Sequence, residues 1–342
     1  MNMSRRFTLS GAALTAALAL GGVAAQAQTK ELTFAHQDML VPLRLVMESG
    51  EVEKATGYKI NWRKFGGGGD VIRAMASGDV QIGEVGSSPA AAAASQGMNV
   101  EVFWILDDIA DAEQLVARNG SGVNSIKDLK GKKVAVPYVS TSHYQLLYAL
   151  EKDGVNPKEV QILNMRPPEI AAAWERGDID ATFIWDPVLS RVKGNGKVLI
   201  SAGQIAKEGR PTFDAVMVDK AWAEKNKEFM AKLVALMAKA DSEYRAEKAK
   251  WTADSPQVRA VAKISGADPK DVPAGMAAYR FPTLQEQASP EWLGGKDSGA
   301  AKALTQTAKF LKEQGRITDV APDYSRFVTD EYVKAAMKDN KS

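Results

Sequence analysis

The 342-residue sequence contains no cysteine and only two histidines, His36 and His143. Without cysteine there is no disulfide, no thiolate-bound metal, no cysteine nucleophile and no cysteine to carry a lipid anchor. The two histidines stand too far apart in sequence for a local metal motif, so neither metal nor cofactor is expected. An excess of one charge is missing too: 44 Lys and Arg oppose 42 Asp and Glu, a formal net charge of +2. So neutral a surface argues against nucleic acid or anionic membranes as partners. A Walker-type phosphate loop is also absent. Gly66-Gly67-Gly68-Gly69 lacks the following lysine and reads as a flexible loop before a helix.

Long apolar runs are missing with one exception, from Leu9 to Val23. It follows Arg5-Arg6 and precedes Ala25-Gln26-Ala27, a small-x-small cleavage pattern. The run is too short and too rich in Ala and Gly to span a bilayer, so residues 1–27 read as a secretory signal peptide. Ser4-Arg5-Arg6 faintly resembles a twin-arginine signal, but the general secretory route fits better. Cleavage removes both arginines and brings the charge close to zero. The expected product is an exported, unanchored, monomeric protein of a bacterial periplasm, long enough for two domains.

What is present is organised around 78–89. A helix stops at Gly78, a buried strand covers 80–85, and Gly86-Ser87-Ser88-Pro89 opens an Ala-rich helix. Ser favours the N-cap and Pro the first helical turn, and such a start offers free N–H groups to an anion. The same grammar returns at 170–187: an apolar-faced helix, Gly177-Asp178, a β-branched strand, then Trp185-Asp186-Pro187. Two such units facing one another make a cleft.

Strand patterns at 31–36, 58–65, 80–85 and 101–106 alternate with helix patterns at 42–56 and 71–77, which predicts a parallel sheet with its ligand beyond the strand ends. A second unit follows, with strands at 114–117, 134–137, 160–165, 181–185 and 198–200 and helices at 144–152 and 170–176. The strand at 213–218 returns to the first unit, and helices follow at 221–244, 256–265, 284–287, 298–314 and 329–337. The chain therefore crosses between units near 111–116 and 211–216. Two crossings behave as a hinge. The predicted fold is α/β and bilobed, two doubly wound domains joined by two crossover strands. Lobe I takes 28–112 and 216–342, lobe II 113–215.

Several stretches carry more than general grammar. They are Asn61-Trp62-Arg63-Lys64-Phe65, Ala76-Ser77-Gly78-Asp79-Val80-Gln81-Ile82-Gly83 and Gly86-Ser87-Ser88-Pro89. Val136-Pro137-Tyr138-Val139-Ser140-Thr141-Ser142-His143-Tyr144, Arg176-Gly177-Asp178-Ile179-Asp180, Pro211-Thr212-Phe213-Asp214 and Phe310-Leu311-Lys312-Glu313-Gln314-Gly315 complete the set. In this order the chain closely resembles the periplasmic taurine-binding proteins of bacterial ABC importers, from about residue 32 to 333. The wider group of sulfonate-, nitrate- and thiamine-precursor-binding proteins is similar but less close.

The resemblance implies a type-II periplasmic solute-binding fold, no catalysis, and delivery of taurine to a membrane permease. A sulfonate requires donors, and Ser87, Ser88, Ser140, Thr141 and Ser142 offer them, one hydroxyl cluster per lobe. Each cluster is also what a plain N-cap would look like. The ammonium requires acceptors. Asp214 matches the acid of the family's Pro-Thr-x-Asp stretch, Glu113 lies in a matched position, and Gln37 carries over as a polar contact. Trp185 is a candidate to cover the methylenes, or simply core. His36 and Asp186 depart from the family pattern. An extra acid at Asp186 would suit a second ammonium partner or a more cationic ligand. Other readings are a longer sulfonate or another small zwitterion, a receptor feeding a sensor, or an enzyme like the thiamine-pyrimidine synthase of the same fold, whose cysteine-rich motif is absent here.

Overall fold

A computed structural model describes residues 30–339, so the segment read as a signal peptide lies outside the described residues. Strands β1 (Lys30–His36), β2 (Tyr58–Lys64), β3 (Ile82–Gly86) and β4 (Val100–Asp108) open the first unit. The second unit holds β5 (Gln114–Arg118), β6 (Lys133–Val136), β7 (Gln161–Asn164), β8 (Ala181–Ile184) and β9 (Gly196–Ser201). β10 (Phe213–Asp219) then returns to the first. The sheet orders are β2-β1-β3-β10-β4 and β7-β6-β8-β5-β9. β3 is buried throughout and β4 almost throughout, as strands covered by helices on both faces must be.

Neither sheet is purely parallel, which corrects the prediction from alternation. β1 runs parallel to β2 and β3, but β10 is antiparallel to both β3 and β4. β5 is likewise antiparallel to β8 and β9. The reason is where the chain crosses. β4 ends at the carboxyl edge of its sheet, and the chain enters the second sheet at the facing edge, so β5 must run backwards. The same holds from β9 to β10.

Three helical expectations also change. The helix predicted at 42–56 is two, Leu43–Ser49 and Glu51–Thr56, divided by Gly50 at a φ of 63°. The one predicted at 221–244 divides at Asn226 into Lys220–Lys225 and Lys227–Glu247. Gly68 and Gly69 are not loop but the first turn of the helix Gly68–Ala76. A Cβ on Gly68 would lie 2.5 Å from Pro89 Cγ, so the glycine lets this helix seat against the start of the helix Ser87–Ser95.

The units also meet through the helix Gly299–Glu313, which reaches the helix Thr141–Lys152 of the second unit. Tyr144 and Leu147 pack there against Phe310 and Leu311, with the Tyr144 and Phe310 rings edge to face at 5.1 Å. Phe310 is almost fully buried. Phe310→Ala should therefore cost about 3–5 kcal/mol, read as a lower urea midpoint at an unchanged slope.

Candidate functional site

The carboxyl ends of the strands converge on a narrow cavity holding about 270 Å³ of atom-free space, its mouth included. Gln37 and Met39 come from the loop after β1, and Gly86 from the end of β3. Asp214 is the second residue of β10, and Glu113 directly precedes β5. Ser140 and Thr141 open the helix after β6, and Trp185 follows β8. Both units thus contribute, and β10 brings its acid into the first sheet between Gly86 and Asp107.

One wall is fixed by a fully buried ion pair. Arg44 donates from Nη1 to Glu84 Oε1 at 2.5 Å and from Nη2 to Oε2 at 2.9 Å. It also donates to the carbonyls of Gln37 and Met39, at 3.0 and 3.2 Å. Glu84 accepts from the Gln37 backbone N–H at 2.9 Å, and its own carbonyl accepts from the Gln37 amide at 3.2 Å. The loop carrying Gln37 is thereby held on β3.

The floor is acidic. Glu113 is buried, and burial pushes its carboxyl up to about 7, partly offset by the Thr141 hydroxyl donating to Oε1 at 2.6 Å. Ser142 Oγ lies close enough to Glu113 to act in the same direction, yet makes no hydrogen bond of regular geometry. Burial first, then the charges of Glu113 and Glu84, hold Asp214 well above the usual carboxylate range. Asp107, fully buried on β4, is raised by burial and by Asp214.

The two helix starts flank this floor. Gly86, not a serine, occupies the N-cap of the helix Ser87–Ser95, and Ser88 Oγ is buried without a partner. Ser87 Oγ accepts from the Phe213 N–H at 3.4 Å. Ser140 is a complete cap: its hydroxyl accepts from the His143 N–H at 3.0 Å and donates to the Pro137 carbonyl at 2.6 Å. Apart from the His143 N–H, taken by Ser140, the first amides of each helix lack a partner within the helix itself.

Trp185 lines the cavity and donates from Nε1 to Asp38 Oδ1 at 3.2 Å, joining the two units. Asp186 stands elsewhere. Its Oδ1 accepts from the Ser190 N–H at 2.8 Å, capping the helix Val188–Lys193, and its other oxygen faces Gly275. His36 is buried beside the Arg44–Glu84 pair and donates to the Gln37 carbonyl at 3.0 Å. Sequence reasoning missed Arg44, Glu84, Asp107 and Asp38. Glu84 had a signal, a lone acid inside a buried apolar strand, which requires a cation. Among the described residues no helix is long and apolar enough to cross a membrane, and no cluster of metal-ligating side chains occurs.

Two mixed sheets, a chain passing twice between them and a cavity at their carboxyl edges define a type-II periplasmic solute-binding fold. Solved structures share it. The periplasmic aliphatic sulphonate-binding protein of Escherichia coli superposes with a TM-score of 0.69 at 23% identity, covering 87% of this chain and 92% of that one. The periplasmic nitrate-binding protein of Synechocystis PCC 6803 gives 0.67 at 13% identity, covering 91% and 89%. In sequence, the taurine-binding periplasmic protein of Escherichia coli (strain K12) is 39% identical over 316 residues, 92% of this chain and 97% of that protein. Residues 54–247 match the family described as NMT1/THI5 like, and the chain belongs to it.

Two outcomes follow from the charges. Arg44→Met leaves Glu84 buried without a cation and should cost about 3–5 kcal/mol in chemical denaturation. Glu113 keeps a proton in the fold that the unfolded chain releases near its ordinary value of 4.5. Its contribution to stability is therefore full below 4.5 and is lost as pH rises through about 7. Glu113→Gln should flatten that fall, read as melting temperature against pH in ligand-stripped protein.

Proposed function

We propose that this protein is a periplasmic receptor for taurine, 2-aminoethanesulfonate, which it hands unchanged to the membrane subunits of an ABC importer. The observation that carries the reading is one small cavity furnished with both halves of a zwitterion site. Buried carboxylates, Glu113 and Asp214, suit an ammonium, and the starts of two helices, lining the cavity through Gly86 and Pro89 and through Ser140 and Thr141, suit a sulfonate. The 39% identity to a taurine-binding protein over most of both chains supports the same ligand. The relatives in sequence are named for binding rather than catalysis, which favours a receptor over an enzyme.

In this reading Gln37, Ser87, Ser88, Glu113, Ser140, Thr141, Ser142, Trp185 and Asp214 form the ligand shell. Asp186, which caps a helix, is the weakest member. Lobe I (28–112 and 216–342) and lobe II (113–215) close on the ligand about the two crossings, and closure is stabilised only by the ligand's higher affinity for the closed state.

A calorimetric panel of taurine, ethanesulfonate, butanesulfonate, nitrate and glycine betaine on ligand-stripped protein tests it. Taurine should bind best. Asp214→Asn should weaken taurine by about 2–5 kcal/mol while ethanesulfonate holds or improves, since a like charge is removed. Equal loss for both ligands would reduce Asp214 to a structural residue. Ser88→Ala should weaken both sulfonates by roughly ten- to a hundredfold, as expected for one donor to a charged group.

A further inference from the structure

Asp107 is fully buried near the end of β4, and nothing in the proposed ligand shell uses it. The ladder sets it directly opposite Asp214, whose charge acts on it. Among the described residues no N–H or hydroxyl donor reaches either of its oxygens.

Among the described residues no cation stands in for one. Asp108 and Glu113 add negative charge, and Tyr279 is a buried phenol. Arg44 is committed to Glu84. Arg280 is committed to Asp108, Glu286 and Glu291. Two ionised carboxylates side by side in such a place would each bear the full cost of desolvation with mutual repulsion added. One proton removes the repulsion and supplies the single missing donor. Carboxyl groups that share a site behave this way generally, with one of the two strongly raised.

We propose that Asp107 works as a neutral carboxylic acid that donates its proton to one oxygen of Asp214, leaving the other oxygen as the charged acceptor for the ligand's cationic group. Asp107 is thus a positioning residue. It orients the Asp214 carboxylate and sets the charge of the pair at one rather than two, the match for a single ammonium. Burial raises both carboxyl groups, and geometry separates their roles: both oxygens of Asp107 are buried away from the cavity's lining, whereas Asp214 lines it. This inference rests on the reading of the cavity as a zwitterion site.

The test uses the mature protein with Asp107→Ala and Asp107→Asn. Alanine removes the donor and should weaken taurine at pH 7 by about tenfold, with part of the loss recovered toward pH 9 as Asp214 ionises. Asparagine keeps a donor without an ionisable group and should restore most of the lost affinity. Should Asp107→Asn weaken taurine as much as Asp214→Asn, Asp107 is an ionised partner of the cation and the proposal fails. It fails equally if Asp107→Ala binds with the wild-type affinity and pH profile. A second readout requires no ligand: the infrared band of an un-ionised carboxylic acid should be present at pH 7 and diminished in Asp107→Asn. A wild-type protein that shows this band yet ignores taurine would overturn the ligand reading alone. An infrared spectrum unchanged by Asp107→Asn would overturn the assignment of Asp107 alone.

Discussion

The Arg44–Glu84 pair is the constraint from which the cavity follows. Taking both ions out of water costs several kcal/mol each, so the pair persists only because its geometry and accessory hydrogen bonds are nearly complete. Arg44 binds two carbonyls besides the carboxylate, and Glu84 takes the Gln37 amide hydrogen as well. Those extra bonds all go to the segment between β1 and the helix Leu43–Ser49. A stretch without regular structure thereby acquires the rigidity of the sheet beneath it. Gln37 and Met39 face the cavity, and Asp38 between them meets Trp185 of the other unit.

On that wall the acids create a site under electrostatic tension. Glu113, Asp214 and Asp107 are each buried, and each is pushed toward its neutral form by burial before any neighbour is counted. Hydroxyls such as Thr141 relieve part of this, but a hydroxyl carries no charge. A cationic group entering the cavity would relieve the remainder. The protein is thus prepared for such a ligand at a cost in its own stability, a common arrangement where function requires charge in a dry place.

What was legible in the sequence was local. The strand-to-helix turns at Gly86-Ser87 and Ser140-Thr141 use residues whose backbone preferences act over three or four positions, and both were found, though Gly86 rather than a serine caps the first and the second helix starts at Thr141 rather than Tyr144. The helix Pro256–Ser265 agrees at both ends because Ser255 caps it and Gly266 stops it in a left-handed conformation. Strand direction was not legible, since it depends on which edge of a sheet the chain re-enters. Gly50 and Asn226 broke helices whose periodicity runs on across them. Within the cavity, Glu113 and Asp214 were found through resemblance. Arg44 was lost in an amphipathic pattern that makes any arginine look solvent-facing. Asp107 is invisible to any local rule, because its meaning comes from the strand that pairs with β4 more than a hundred residues later.

Gly86 sits where the two units approach closely beside the cavity. A Cβ there would lie 2.7 Å from Thr141 Cγ2 and 3.2 Å from Asp214 Oδ1. Thr141 is β-branched and stiff, so it has little room to turn aside. A single methyl group at this position would act as a wedge between the units, altering their separation without removing any charged or hydrogen-bonding group. Gly86 is therefore a spacing gauge, a point at which the aperture of the molecule is set by bulk alone.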